Sequence, residues 1–425
     1  MKILVFSSDG VGGTEKTATQ YAVGLAGKGH EVLFTCPLGG PRAQYLTQGG
    51  VLLVGNVGDE ATLRKLLLAE QPDVIHQHVP GYPTGNPIYA VLAGYPGRKP
   101  CLVETNVFGR LEEPLSDLHV QSRFFVSMAS GTQAFLRAGI PLEEAGTLRN
   151  SVLYNPSFSR QPQTPAARQP FRARLGIAEN EILVLRIGRP GAKWRTWDCE
   201  AFALARKEQP RLKLLLMEPP EFVKRNIRSG RYGEGIVVLP ETSDFEWLGA
   251  LYDSADLMLH ASAYGESFGC TLSEAMEAGL PLIVRSTPWG DNAQVELVQH
   301  GETGYVCCSV PGMAQALVEL ANDGALRKTL GEAGRARIKA LCDFDQEVAF
   351  LEESLRALVD GSPAPLREQR SRQWLEFACN FRQREQQTLE KERGLFWPRV
   401  GGATYAAYRC SRTQLGRWLG RLKGA

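Results

Sequence analysis

A chain of 425 residues, 43% hydrophobic and 22% charged, is long enough for two domains that each bury a core, and its composition excludes collagen-like, disordered and disulfide-scaffold proteins. The nine cysteines are odd in number, scattered and never spaced as C-x-x-C or as zinc ligands, so a reducing cytoplasm is expected. The net charge of +2 conceals an uneven distribution: residues 361–425 hold 13 Lys/Arg against 5 Asp/Glu.

Met1-Lys2 leads into the apolar run Ile3 to Phe6, too short for a signal-peptide core, which reads as a first strand. Short apolar, β-branched-rich runs recur at 31–36, 51–55, 73–77, 101–106, 123–128 and 151–155, with helical patterns between them. Residues 156–170 carry four prolines and almost no apolar periodicity, and read as a linker. A second series follows at 182–188, 212–218, 235–240, 257–262, 281–286 and 305–309, with helices near 198–207, 244–253, 270–279 and 311–321. Strands alternating with helices imply parallel sheets built from βαβ units. The expected architecture is α/β: an N-terminal Rossmann-like lobe over 1–155, a linker over 156–170, and a second such lobe over 171–345 facing the first across a cleft. A helical extension over 346–425 follows, part of it expected to cross back onto the first lobe.

Ligands in such sheets bind beyond the carboxyl ends of the strands, where loops meet helix starts. The run Glu266-Ser-Phe-Gly-Cys-Thr-Leu-Ser-Glu274 lies at one such place. Phe268, Gly269, Cys270 and Thr271 open a helix whose free N–H groups suit an anion such as a diphosphate, and Gly269 lets the backbone approach it closely. Two carboxylates flanking that start can each accept hydroxyl hydrogen bonds, Glu266 from a sugar and Glu274 from a ribose. The blander alternative is a solvated loop acid and an ordinary first-turn glutamate. Downstream, the Asp/Asn-rich stretch Thr287 to Gln294 reads either as a loop on the cleft side of the second lobe or as a plain turn, and is not taken as part of the site. Residues 396–425 hold six Lys/Arg and no acid, with Tyr405, Tyr408, Leu415, Trp418, Leu419 and Leu422 at helical spacing. This segment reads either as an anionic-membrane contact or as a helix docked on the first lobe. No run approaches the ~18 apolar residues of a spanning helix, so any membrane contact is expected to be peripheral.

With the small and apolar residues that follow, Ser273-Glu-Ala-Met-Glu-Ala-Gly-Leu-Pro281, the segment resembles glycosyltransferase family 4, marked by E-x7-E before an EAM-x-x-G-x-P helix and strand. The resemblance covers most of residues 1–350 and implies two facing Rossmann-like lobes (GT-B), a nucleoside-diphosphate sugar as donor, a hydroxyl acceptor, and transfer with retention. It implies no metal or cofactor and no nucleic-acid partner, and it suggests a glycan or lipid-linked acceptor of the kind used in polysaccharide or lipopolysaccharide biosynthesis, handled in the cytoplasm or at the inner face of a membrane. Gly12 and Gly13 look like the family's opening glycine loop, which closes over the donor phosphates. Arg189 and Lys193 stand where the family has two cations that grip the diphosphate, and Glu266 stands where it stabilises the reacting sugar. His76 ends a strand that looks like the family's His-x-His, and with Asn106 it is a candidate acceptor or sugar contact. A metal held by His76 and His78 lacks an acidic or Cys partner nearby in sequence.

Two departures from the family stand out. The glycine-rich turn after the strand at 212 is replaced by Met217-Glu218-Pro219-Pro220, and Asn106 stands near where a histidine is often found. The Asp343-Phe344-Asp345 triplet matches a D-x-D metal motif, but lies beyond the last strand. The alternatives are an epimerase or hydrolase of nucleotide sugars on the same scaffold, because fold does not fix function, and an NAD-dependent oxidoreductase. The latter calls for G-x-G-x-x-G and an acid ending strand two, where this chain has G-V-G-G and Cys36-Pro37.

Overall fold

The computed structural model describes residues 1–396 except 8–9, 11, 41, 142–148, 158–164, 243 and 289, with the backbone alone described at 165–167 and 382–396. The basic segment expected to meet a membrane or the first lobe, from residue 397 onward, lies outside the described residues.

The first lobe is a seven-stranded parallel sheet built from β1 (Lys2–Phe6), β2 (Glu31–Thr35), β3 (Leu52–Leu53), β4 (Val74–Val79), β5 (Cys101–Asn106), β6 (Val120–Phe125) and β7 (Asn150–Val152). Their order is β3-β2-β1-β4-β5-β6-β7. The second is a six-stranded parallel sheet of β8 (Ile182–Ile187), β9 (Leu212–Met217), β10 (Ile236–Leu239), β11 (Leu257–His260), β12 (Leu282–Arg285) and β13 (Gly304–Cys307), ordered β10-β9-β8-β11-β12-β13. Helices cover both faces, so central strands such as β8 are buried along their whole length and read as continuous apolar runs. Each sheet reverses its winding once, between β1 and β4 and between β8 and β11. The crevice for a ligand in a doubly wound sheet opens beyond the carboxyl ends at that reversal. Out of it here come the loop before helix Gly13–Gly27, the loop carrying Arg189 and Lys193, and the loop carrying Glu266.

Two boundaries differ from the sequence expectation. The run expected as a strand over 123–128 is a strand only to Phe125; Ser127 then caps helix Met128–Ala138, its hydroxyl accepting the Ser130 N–H at 2.9 Å. Within the expected linker, residues from Pro165 form helix Pro165–Arg174, since a proline at a first helical position loses no hydrogen bond. Arg168 and Arg172, one turn apart, both bind the Asp256 carboxylate at 2.6 and 2.9 Å and tie that helix to the second lobe.

The C-terminal helices return to the first lobe. Helix Phe344–Asp360 buries Val348, Leu351 and Leu355 with Ile3, Val5 and Tyr21, and a Cβ on Gly24 would meet Val348, so the two helices touch backbone to side chain. In helix Pro365–Phe396, Trp374 is fully buried and donates from Nε1 to the Met128 carbonyl at 3.1 Å, between Phe125 and Phe135.

Candidate active site between the lobes

Two helix starts meet in the cleft. Helix Gly13–Gly27 begins after Gly12 and helix Cys270–Glu277 after Gly269, and neither receives a side-chain cap. Among the described helices, six others are capped by Asp59, Ser127, Asp244, Ser309, Asp323 or Asp343, and six more also lack a side-chain cap. Uncapped first-turn N–H groups and the positive end of the helix dipole attract an anion. The approach is close: a Cβ on Gly13 would lie 2.9 Å from Cys270 Sγ, and one on Gly12 would lie 2.6 Å from Glu15 Oε2 and 3.2 Å from the Arg189 guanidinium. Gly269 has φ +103°, a conformation that side chains disfavour. Arg189 is exposed over this junction, its carbonyl accepting the Trp194 indole N–H at 2.9 Å, which fixes the loop.

Glu266 is held on three sides. Oε2 accepts from Lys193 Nζ at 2.6 Å, Oε1 from His260 Nε2 at 2.9 Å, and its backbone N–H donates to Gln294 Oε1 at 3.0 Å. Burial alone would raise its carboxyl, but the Lys193 charge and the His260 hydrogen bond outweigh burial and hold it well below the usual carboxylate range. Burial and the neighbouring Arg186 charge push His260 down, so its ring is neutral.

Glu274, eight residues on, accepts from Tyr252 Oη at 2.9 Å and pairs with Lys16 of the first lobe at 2.7 Å. Burial would lower the Lys16 ammonium, yet the Glu274 charge more than compensates and keeps it above its ordinary value. Lys16 was not singled out in the sequence; its place one turn into the glycine-loop helix is the signal that marks it. Cys270 and Thr271 are half-buried at the helix start, whereas Phe268 is buried in the core beneath, 6.4 Å from the Tyr154 ring, and its side chain does not line the cleft.

The two first-lobe candidates do not reach the cleft. His76 is fully buried within the sheet, its Nε2 2.8 Å from Thr105 Oγ1, because β4 is flanked on both sides by neighbouring strands. Asn106 is also buried: its amide donates to the Arg110 carbonyl at 2.7 Å and accepts the Arg110 N–H at 3.1 Å, closing the turn after β5. Asp343, of the D-x-D triplet, caps helix Phe344–Asp360 at the Gln346 N–H. Among the described residues no three His, Cys, Asp or Glu side chains gather as a metal-ligand set, and no helix is long and apolar enough to cross a membrane.

The stretch Thr287 to Gln294 faces the first lobe. Besides the Gln294 contact, Asp291 Oδ1 reaches Arg110 at 3.2 Å and Arg137 at 2.9 Å on the first lobe. Glu296, just beyond, accepts the Met128 and Ala129 N–H groups at 3.2 and 2.8 Å and the Tyr154 hydroxyl at 2.6 Å. Neither acid stands in a pattern that betrays a cross-lobe partner.

Residues 181–323 match the family model described as Glycosyl transferases group 1. That stretch carries Arg189, Lys193, Glu266 and Glu274. The chain is also similar to N-acetyl-alpha-D-glucosaminyl L-malate synthase of Bacillus anthracis, 31% identical over 176 residues, which are 40% of this chain and 43% of that protein. It is 27% identical over 135 residues to the human alpha-1,3/1,6-mannosyltransferase ALG2, covering 32% of this chain and 30% of that one. These curated relatives are thus matched over less than half their length. In fold, the chain superposes on Anabaena Alr3699/HepE, a structure in complex with UDP, with a TM-score of 0.66 at 20% identity, covering 84% of this chain and all of that one. The two facing parallel sheets with a helical C-terminal extension are therefore the GT-B fold.

Proposed function

We propose that this chain is a glycosyltransferase that moves a sugar from a nucleoside diphosphate to a hydroxyl acceptor with retention of anomeric configuration. The observation that carries the reading is the meeting of two uncapped helix starts, at Gly12-Gly13 and Gly269-Cys270, beside Arg189 and the Lys193–Glu266 pair. The family match over the second lobe and the relatives named as sugar-transferring enzymes support it.

In this reading the diphosphate lies on the two helix starts, with Arg189 and Lys193 as its counter-cations. As the glycosidic bond breaks, negative charge grows on the leaving diphosphate, and fixed cations that need no reorganisation stabilise it most in the transition state. Glu266, kept ionised, faces the positive charge that develops on the sugar. The leaving phosphate can take the acceptor's proton on the same face, so retention needs no covalent nucleophile. Glu274 accepts from the donor's ribose once Lys16 shifts from it.

The test is a thermal-shift screen against UDP-, GDP-, ADP- and TDP-sugars, since a ligand stabilises by the logarithm of its saturation, followed by NMR assignment of the product anomer. Stabilisation by one donor class and a retained anomer are expected. No shift with any donor overturns the donor site; an inverted product overturns the mechanism; and an epimerised or hydrolysed donor regardless of acceptor overturns transfer.

A further inference from the structure

Behind Glu266, on the side away from the cleft, lies a chain of buried polar groups. His260 ends β11, and its Nδ1 is 3.0 Å from the Arg186 NH1 group on the adjacent β8. A guanidinium has donors only, so Nδ1 accepts, the ring proton sits on Nε2, and Nε2 donates to Glu266. Arg186 is itself immobilised: NH1 also donates to the Ile187 carbonyl at 2.6 Å and the guanidinium lies 4.4 Å over the Trp194 ring. Asp198, at 3.4 Å from Arg186 Nε, balances its charge and accepts the Ala261 N–H at 2.9 Å, beside His260. These three side chains are at most 4% exposed. The loop with the cations is tied to the same group, because Trp194 donates to the Arg189 carbonyl and the Ala263 N–H donates to the Lys193 carbonyl at 2.8 Å.

A buried Arg–Asp pair beside a neutral imidazole is a demanding arrangement for a strand end if its only role is packing. Replacing such a pair by apolar groups is often neutral or stabilising. What the arrangement supplies is direction: one N–H, of fixed tautomer, aimed at one carboxylate oxygen. We infer that His260, its tautomer set by Arg186, is a positioning residue that locks the Glu266 carboxylate in the orientation in which it meets the reacting sugar. The inference rests on the proposed transfer reaction, and it adds residues that do not touch substrate. It also separates the two oxygens of Glu266, one fixed by His260 from behind and the other shared with Lys193 at the cleft.

The experiment compares His260→Ala, His260→Gln, Glu266→Ala and the double variant His260→Ala/Glu266→Ala in steady-state transfer, using the donor found in the screen, with thermal unfolding and binding of that donor's nucleoside diphosphate as folding controls. Gln presents an N–H at nearly the reach of Nε2. His260→Ala is expected to lower kcat by about tenfold to a hundredfold with donor KM changed less than about threefold, as for a transition-state interaction. His260→Gln should recover most of that loss. The double variant should be no slower than Glu266→Ala alone, because residues acting as a unit are not additive. Wild-type kcat in His260→Ala, no recovery with Gln, or losses that multiply in the double variant would each overturn the inference while leaving the transferase reading intact. A wild-type chain that transfers no sugar from any of the four donor classes overturns that reading and this inference with it.

Discussion

The two lobes share a strand order about their switch points but use their polar residues differently. In the first, Glu104 is bound by Arg123 at 2.6 Å and Ser116 at 2.8 Å, with Gln77 and Asn106 alongside, and Arg123 carries the network on to Asp117 at 3.2 Å, a side chain 69% exposed. In the second, the chain from Asp198 through Arg186, His260 and Glu266 ends on Lys193, whose side chain is 44% exposed. Both networks end on an exposed side chain, but only the second ends on a cation beside the two uncapped helix starts. A solvent-facing last partner is thus not enough to mark chemistry at a strand end; what surrounds that partner decides it.

Substitutions test that contrast. The largest effect is expected for Glu266→Ala, with kcat reduced by about 10²–10³, the range for loss of one preorganised electrostatic group, and affinity for the nucleoside diphosphate of the donor found in the screen nearly unchanged by calorimetry. Lys193→Met is expected to reduce kcat by about 10²-fold on the same grounds and to change the acid limb of the pH profile. Because Glu266 is held below its ordinary value, its ionised form, and the stability its pairing contributes, persist from above about pH 4.3 and are lost only as pH falls through the depressed value. Without the Lys193 charge the limb should move upward; an unmoved limb would mean that Glu266 does not set it. Glu274→Ala should raise donor KM by about tenfold, the equivalent of one good hydrogen bond to a charged group, with kcat largely kept. The smallest effect on turnover is expected on the first lobe. Asn106→Ala should lower stability by about 1–3 kcal/mol through its unpaired backbone partners, as read by denaturant titration, while kcat per folded molecule changes less than about twofold. A large kcat loss there would break the contrast between the lobes.

The strand runs and the paired glutamates were legible because both depend on local spacing: apolar periodicity marks β8 and β11, and the helix start fixes Glu266 and Glu274 relative to each other. What was not legible depends on contacts distant along the chain. Lys16 and Glu274 are 258 residues apart, and no sequence pattern shows that they meet. His260 reads as one more residue of an apolar strand until Arg186 is found beside it. The burial of Asn106 and His76 was hidden for the complementary reason: polar residues at strand ends suggest a cleft, but the turn at Arg110 takes up the Asn106 amide and Thr105 on the neighbouring strand meets His76 Nε2. Ser127 is the clearest case of local chemistry overlooked, since a serine before a helical pattern marks a cap and would have ended the strand at its proper place.

The contacts between the lobes are of two grades, and the difference has a mechanical consequence. On the side of the two uncapped helix starts they are partly exposed ion pairs, Lys16 with Glu274 and Arg110 and Arg137 with Asp291, of a kind worth about 0–1 kcal/mol each. On the other side Glu296 is buried against the start of helix Met128–Ala138, Ser127 donates to the Ser267 carbonyl at 2.6 Å, and Phe268, Tyr154 and Trp374 share one apolar core. A latch and a hinge differ in the same way: any separation of the lobes would cost less at the exposed pairs than at the buried Glu296 contacts.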